Sequence, residues 1–453
     1  MIRRTIPILL SVLAISASRS ALSAQQPTTG TQRAAQGASD TILPTPLTLP
    51  AAMQLGRVRA TTAALARLNA RVANARVGER RADLLPSISG GATFGRQTMN
   101  LDEFGIAEFT GVTDPFNIWR LTVAGSQTIF DAAALARVSA ARDSAVAAGL
   151  DARAAGNLAA TSAGVAYLRY AAALETVRAR EADSTIAASL YQQARDLLEA
   201  GVSAAIDATR SEVAFAASRT DLELARNQRD RARLDLSRAL ALPPTVNIVL
   251  PDSIGSIAAG IPADPDSAVA YALTHRAEIA AELARTRSVE RSVTAVRREQ
   301  LPSLGVQGAV QETGPALDRL SNVWHVEVGV KVPLLDGFRR QRRIEEQSLR
   351  LDAQQVRQDD LARRIATEVR SSLLDLSSAR QQVTLAETRL QLAEQELDQA
   401  RQRFAAGVAG TVETSNAQAS VVAARNGMIQ AHAALSTAEV GTMQAVGLLN
   451  NEQ

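Results

Sequence analysis

The chain has 453 residues, with 49 basic and 46 acidic side chains, three histidines and no cysteine. The charges nearly balance and are spread along the chain, which argues against a basic surface that binds nucleic acid. The lack of cysteine excludes a disulfide framework. The isolated histidines have no partners at metal-ligand spacing, and no phosphate loop or nucleophile motif is present. The sequence therefore predicts no enzyme, metal site or cofactor.

The first residues have the pattern of a secretory signal peptide. Arg3 and Arg4 precede a short apolar run at 6–15, and small residues follow before position 25. The apolar run is too short to span a bilayer as a retained helix. We expect residues 1–24 to be removed and, without a cysteine, no lipid anchor. Residues 25–46 are rich in Thr, Gln, Ala and Pro, which predicts a flexible N-terminus of the mature protein.

Two stretches of the chain, about 206 positions apart, share one pattern. Arg195–Glu212 and Arg401–Gln418 each contain a Gly-Val pair followed by an acidic residue, at Asp207 and at Glu413. We therefore predict an internal two-fold repeat with an equatorial connector between its copies. The predicted segments are 47–245 for the first copy, 246–265 for the connector and 266–449 for the second copy.

Apolar residues recur every seven positions in long segments, which is typical of helices in a left-handed coiled coil. The clearest series has small residues three positions after the larger ones. Its members are Val369, Leu376, Val383, Leu390, Leu397 and Phe404, with Ser372, Ala379, Ala386, Ala393 and Ala400. The pattern resumes from Val421 to Leu449. The predicted long helices are 132–200, 204–241, 338–405 and 411–449, and the longer ones would reach about 100 Å.

Four shorter segments alternate apolar and polar residues, which predicts β-strands. Their predicted bounds are 86–98, 118–130, 302–313 and 323–334. The clearest apolar face is Trp324, Val326, Val328, Val330 and Val332. A soluble sheet packed on a core would show the same alternation. The signal peptide and the lack of a credible spanning helix favour a transmembrane barrel with this face toward lipid. Four strands cannot close a barrel, so an oligomer is expected, and a trimer would supply twelve.

Short motifs at the ends of these segments resemble the TolC-type outer membrane efflux protein family, in the correct order from about residue 47 to 449. They are Leu47-Thr48-Leu49, Leu84-Leu85-Pro86-Ser87, Phe130-Asp131, Thr274-His275-Arg276-Ala277-Glu278-Ile279, Gln300-Leu301-Pro302-Ser303 and Pro333-Leu334-Leu335-Asp336-Gly337. Ala277 stands where the family usually has proline. The resemblance implies a mixed fold in a homotrimer. A long antiparallel α-helical coiled-coil barrel would join a transmembrane antiparallel β-barrel with four strands from each protomer.

The resemblance also implies the function. The family forms outer membrane channels whose helical tunnel lies in the periplasm and passively conducts exported small molecules or proteins. Its partners are a periplasmic adaptor and an inner-membrane transporter, which supplies the energy. The alternative, which the coiled-coil pattern alone allows, is a periplasmic or envelope scaffold without channel activity.

Each copy of the repeat is expected to contain a helical hairpin, and the second lies between the predicted helices 338–405 and 411–449. By the same resemblance, the periplasmic gate lies just after this second hairpin, at positions matched here by Glu413 and Asn416. Asn416 is an amide where the family has an acid. The equivalent residues of the first copy are Asp207 and Arg210, and Arg210 is the nearest basic residue to compensate the acids. Asp207 and Glu413 equally suit helix N-termini, where acids interact favourably with the helix dipole. The expected adaptor-docking tips are Gly201, Val202, Gly407 and Val408.

Overall fold

The computed structural model describes residues 46–101, 111–251, 260–262, 264–406, 408 and 410–450. The expected signal peptide, the expected flexible segment up to residue 45 and the tip residue Gly407 lie outside these ranges. Among the described helices, none combines the length and the apolar composition that crossing a bilayer would require.

The described residues form eight α-helices and a four-stranded sheet. The helices are α1 (Leu49–Arg59), α2 (Thr61–Ala82), α3 (Ala132–Glu199), α4 (Ala205–Ala239), α5 (Pro265–His275), α6 (Ala277–Arg298), α7 (Arg339–Ala405) and α8 (Thr411–Val446). Helices α3 and α7 have 68 and 67 residues, so each extends over about 100 Å. The four long helices end within a few residues of the predicted bounds. Helices α1, α2, α5 and α6 were not predicted.

The helix ends follow from particular residues. Asp131 caps α3, because its Oδ1 accepts from the backbone N–H groups of Ala133 at 2.8 Å and Ala134 at 2.9 Å. Gly447 ends α8 in a left-handed conformation with φ of +88°. The prediction that α8 continues to residue 449 is therefore wrong, and Leu449 lies in a short 3-10 helix, Leu448–Asn450.

Helices α7 and α8 pack along the seam that the heptads predict. Alanines and larger apolar residues from both helices form one buried cluster, consisting of Ala393, Leu397, Ala400, Ala417, Val421 and Ala424. Val369 and Leu376 continue the seam toward the middle of α7 and are 0% and 3% exposed. Small residues at every second seam position let the two backbones approach closely, so the heptad register is confirmed.

The helices form two rows, one near the hairpins and one near the sheet. Near the hairpins, α4 packs on α3, α3 on α8 and α8 on α7. Near the sheet, α2 packs on α3, α3 on α6 and α6 on α7. Helix α7 therefore ends both rows on one side, and α2 and α4 end them on the other.

Arg276 ties the short helices to the long ones at the junction of α5 and α6. Its Nη1 donates to Glu368 Oε2 at 2.8 Å and to the carbonyl oxygen of Ala445 at 3.2 Å, and its Nη2 donates to Glu278 at 3.0 Å. Helix α6 begins at Ala277, the first helical position, where a proline would also fit. The departure from the family pattern at this residue therefore leaves the helix start intact.

The strands are β1 (Ser87–Gln97), β2 (Phe116–Phe130), β3 (Ser303–Gly314) and β4 (Ser321–Lys331), paired antiparallel in the order β1-β2-β3-β4. The predicted extension of β4 to residue 334 is wrong, and Val332 lies just outside the strand. The last pair is Ser303 with Lys331, so the partner of Val332 would be Pro302. Proline has no N–H to donate to the ladder, which stops the pairing there.

The strand register gives the sheet one apolar and one polar face, because paired residues of antiparallel strands point the same way. The apolar face includes Ile88, Phe94, Trp119, Val123, Val306, Val310, Trp324, Val326, Val328 and Val330. The polar face includes Ser89, Thr93, Thr122, Ser126, Gln307, Gln311, His325 and Glu327. On β4, Trp324 and Val328 are 70% and 64% exposed. No described helix covers this face, so the alternative of a sheet packed on a core does not fit the protomer.

Candidate functional site

The two hairpin tips lie at one end of the long helices. In the first tip, Gly201 has a φ of +69°, a left-handed conformation that favours glycine. The N–H of Val202 donates to the carbonyl oxygen of Leu197 at 2.9 Å. In the second tip, the N–H of Val408 donates to Arg403 O at 3.0 Å. Val202 and Val408 are 76% and 71% exposed. Both predicted valines therefore lie in reversals and present apolar side chains to solvent.

Asp207 connects the two hairpins. It lies in the first turn of α4, and one carboxylate oxygen accepts from the hydroxyl of Thr411 at the start of α8. The other oxygen accepts from the hydroxyl of Ser203 at 3.3 Å, and Arg210 lies 4.0 Å away. Thr411 is buried at this contact. The acid thus holds the start of α4 against the start of α8, in addition to suiting the helix dipole.

Glu413 pairs with Arg403, a residue that the sequence patterns did not indicate. Its Oε1 lies 3.0 Å from Nε of Arg403, across the reversal between α7 and α8. The expectation that Arg210 is the compensating base is wrong for Glu413 in the protomer, because Arg210 lies beside Asp207. Both side chains of the new pair are about half exposed, so solvent screens the attraction and the pair contributes at most about 1 kcal/mol.

Asn416 lies on α8 one turn after Glu413, and both side chains face solvent. The two gate residues predicted for the second half of the sequence, Glu413 and Asn416, therefore share an exposed helix face. The pair from the first copy lies elsewhere, at the contact between α4 and α8. The structure thus brings Asp207 together with Arg210, and Glu413 with Arg403. The two pairs are linked through Thr411, which donates to Asp207 and lies two residues before Glu413.

A buried ion pair farther from the tips fastens α3 to α8. Arg425 donates from Nη1 to Asp183 Oδ1 at 2.8 Å, and Arg180 lies 3.5 Å from the same carboxylate. Asp183 keeps only 7% of its side chain exposed, while Arg425 keeps 23% and also approaches Glu394 of α7 at 3.7 Å. Burial raises the pKa of Asp183, and the charges of Arg425 and Arg180 oppose that rise. The signal in the sequence was Arg180, which interrupts the heptad series of α3.

The histidines are separated in space. His275 stacks on Tyr271, His325 lies on the polar face of the sheet, and His432 approaches Glu387 at 3.7 Å. In the part of the chain that the structure describes, no group of three acidic or histidine side chains is arranged to hold a metal ion. The candidate site is therefore defined by helix ends and ion pairs.

Solved structures of outer membrane channels have the same arrangement of helices and strands as this chain. The structure resembles the CmeC outer membrane channel of Campylobacter jejuni, with a TM-score of 0.76 and 17% identity over 88% of this chain and 85% of that chain. It also resembles the outer membrane protein VceC of Vibrio cholerae, with a TM-score of 0.73 and 15% identity over 88% of this chain and 96% of that chain. At these identities the likeness shows the fold.

Sequence comparison supplies the family. The chain is 26% identical over 257 residues to the outer membrane efflux protein BepC of Brucella suis biovar 1 (strain 1330). That match spans about half of each protein, 54% of this chain and 55% of the relative. The family model described as outer membrane efflux protein matches residues 55–242 and 269–448, which together make up most of the chain. The protein therefore belongs to the outer membrane efflux protein family.

Proposed function

We propose that the protein is the outer membrane channel of a tripartite efflux or secretion system. It would passively conduct exported molecules from an inner-membrane transporter and a periplasmic adaptor to the outside. The observation that carries this proposal is the sheet, whose apolar face is uncovered while its other face is polar. A lipid-facing surface and a water-filled lumen require that division. A coiled-coil scaffold, the alternative function, gives no reason for such a sheet.

The proposed channel is a homotrimer closed head to tail, and α7 supports it with a second apolar stripe. The stripe consists of Leu349, Val356, Leu374, Leu385 and Leu392, which are 60% to 70% exposed. At about 100° per residue, spacings of 7, 18, 11 and 7 return to within about 20° of one line along the helix. This line lies outside the seam with α8, and α7 ends the row of helices, so a second copy of the chain can cover it.

The opposite end of the row carries the complementary stripes. On α4 they are Ile206, Val213 and Leu224, and on α2 they include Leu65 and Val72, all at least half exposed. Helices α2 and α7 run in opposite directions, and exposed apolar residues of the two helices lie at equal distances from the sheet. Val72 and Leu349 each lie 10 residues from the sheet end of their helix (82 − 72 and 349 − 339). Leu65 and Val356 each lie 17 residues from it (82 − 65 and 356 − 339).

Like the rows of helices, the sheet has two different sides that can join head to tail. Strands β1 and β4 are its two edges, so each has one side of unpaired backbone groups. Pairing β1 of one protomer with β4 of the next in three copies would give a closed barrel of twelve strands. A head-to-tail interface that closes after three copies satisfies the helix stripes and the strand edges together. The proposed internal two-fold repeat, in which each copy begins with a helix of 11 residues and a helix of 22 residues, fits a tunnel of twelve helices.

Disulfide trapping tests this arrangement, and the absence of native cysteine makes the background clean. In the double variant Val72→Cys, Leu349→Cys, a head-to-tail trimer places one bridge at each of three interfaces. Oxidised membranes should then show a ladder of covalent oligomers that ends at the trimer on a non-reducing gel. Each single variant is the matched control and should stay monomeric on that gel. A ladder that ends at the dimer would contradict the head-to-tail ring and indicate a two-fold interface.

We propose the gate at the tips, with Glu413 and Asn416 at the constriction and Asp207 and Arg210 behind them. Three copies of Glu413 around a narrow pore would favour cations, and its partner Arg403 would weaken that preference. The tips, with exposed Val202 and Val408, would dock the adaptor. Planar-bilayer recording tests the gate, since Glu413→Ala combined with Asn416→Ala should raise single-channel conductance. Unchanged conductance would assign these residues to helix capping instead.

A further inference from the structure

All four connections between helices and strands lie at the same end of the sheet, where the strands meet the helices. Strands β1 and β3 begin there, at Ser87 and Ser303, and β2 and β4 end there, at Phe130 and Lys331. The ends of α2 and α6 and the starts of α3 and α7 therefore meet at the same level. The ion pairs of Glu299 with Arg137 and Arg343 bring α3, α6 and α7 together at this level.

Exposed arginines are concentrated at these helix ends. Arg81 lies in the last turn of α2, Arg297 and Arg298 lie in the last turn of α6, and Arg339 begins α7. We call these four the junction arginines. All four are exposed, and the described residues around them supply no ion pair to any of them. By contrast, Arg343 beside them is held by Glu299 at 2.6 Å.

Helix dipoles explain only part of this concentration. Basic residues in the last turns of α2 and α6 are favourable, because the C-terminal end of a helix is partly negative. The start of α7 is the opposite case, since its first two turns contain Arg339, Arg340, Arg342 and Arg343 and its first turn has no acidic residue. Three of these charges are offset, because Arg340 pairs with Asp336 at 2.6 Å, Arg342 with Glu345 at 2.8 Å and Arg343 with Glu299 at 2.6 Å. The charge of Arg339 remains at the unfavourable end of the helix, where an external anion would offset it.

Exposed apolar side chains separate the junction arginines from the sheet. They are Leu85, Leu301, Leu334, Leu335 and Phe338, which are 50% to 90% exposed. Leu334 and Leu335 follow the end of β4, next to its exposed valines, and so extend the apolar face of the sheet toward the helices. Apolar side chains on the membrane side with arginines one turn beyond them are the order of an interface between acyl chains and headgroups.

We infer that the junction arginines bind the phosphate groups of anionic phospholipid, such as phosphatidylglycerol, in the periplasmic leaflet of the outer membrane. The inference rests on the proposed function, in which the sheet lies in the membrane and the helices lie in the periplasm. Charge complementarity selects an anionic lipid, because arginine forms paired hydrogen bonds to phosphate oxygens and the four junction arginines outnumber the exposed acids beside them, Glu79 and Asp83. The exposed leucines and Phe338 lie between the acyl chains.

The test compares lipid selectivity in the full-length protein reconstituted into phosphatidylethanolamine vesicles. Electron paramagnetic resonance measures how much spin-labelled phosphatidylglycerol or phosphatidylcholine is held at the protein surface. The wild type should prefer phosphatidylglycerol by roughly threefold, since each basic residue near an anionic surface contributes a modest attraction. The variant Arg297→Gln, Arg298→Gln, Arg339→Gln should lose the preference, and 1 M NaCl should weaken it in the wild type.

The matched control removes the same charge far from the sheet, in Arg364→Gln, Arg389→Gln, Arg401→Gln, and should keep the wild-type preference. A wild type without preference, or a junction variant that keeps it, overturns the inference. Equal loss in the control also overturns it, because the effect would then come from net charge. Conductance recorded on the same vesicles separates the two proposals, since a wild type that inserts and conducts without lipid preference refutes the lipid site alone. If the triple variant fails to insert, Arg339→Gln alone must lower the preference measurably.

Discussion

Removing Arg425 should destabilise the helical part of the protein in a way that depends on pH. The change Arg425→Gln leaves the buried carboxylate of Asp183 with only the more distant Arg180, at 3.5 Å. Breaking a buried ion pair by removing one partner costs about 3–5 kcal/mol. We expect the lower end, about 3 kcal/mol, because the Arg425 side chain keeps 23% of its surface exposed and water can enter in its place.

The sign of the pH dependence follows from the raised pKa of Asp183. An acid whose pKa is higher in the folded state stabilises the fold most when it is protonated, and this contribution is lost as the pH rises through the folded pKa. Without Arg425 that pKa rises further, so the loss of stability should be larger at pH 7.5 than at pH 5. In the wild type the same dependence should be weaker, because Arg425 opposes the rise.

Guanidinium unfolding, followed by the helical circular dichroism signal at the two pH values, measures this effect. Arg389→Gln removes an exposed arginine from α7 and is the control, with an expected change below about 0.5 kcal/mol. The double variant Arg425→Gln, Asp183→Asn should recover part of the loss, because the buried carboxylate is then neutral. An equal loss for Arg425→Gln at both pH values would refute the reasoning and indicate lost packing instead.

Three other predictions concern the sheet, the seam between α7 and α8, and the ion pair at the second tip. Val328→Arg should reduce the amount of protein in outer-membrane fractions, because arginine at the centre of a bilayer costs about 2–4 kcal/mol in such sheets. Ala393→Leu should overpack the seam of α7 and α8 and lower stability by roughly 1–3 kcal/mol in guanidinium unfolding, while exposed Gln395→Leu should leave it unchanged. In reversal-potential measurements, Glu413→Gln should lower cation selectivity and Arg403→Gln should raise it, because the latter frees the acid. Equal selectivity in these two variants would place the pair away from the pore.

The long helices and the strands could be predicted because each carries one strong periodicity. Residues such as Leu397 and Val328 repeat at seven or at two positions over many turns or along a whole strand, so local errors average out. Helices α1, α2, α5 and α6 were missed because their apolar residues are divided between two surfaces. On α2, Val77 is buried while Leu65 is 56% exposed, so no single face dominates the sequence.

The site was less predictable because its partners are distant in sequence or separated by a reversal. Asp183 and Arg425 lie 242 positions apart, and the interruption of the heptads by Arg180 does not identify Arg425 as the partner. Arg403 meets Glu413 because the chain reverses between them, whereas Arg210, which the repeat suggested, turns to its own helix neighbour Asp207. Periodicity fixes which face of a helix is buried, but it does not select partners among the charged residues on the other faces.

The two unpaired edges of the sheet bear on how the protein behaves in a mixed population. In the proposed ring, each protomer supplies β1 to one neighbour and β4 to the other, so a copy that is defective at either edge leaves a gap in the wall. A cell that makes functional and edge-defective copies in equal amounts would assemble only about one ring in eight from functional copies alone. Edge mutations should therefore be dominant, whereas a mutation that keeps the chain from entering assembly at all should be recessive.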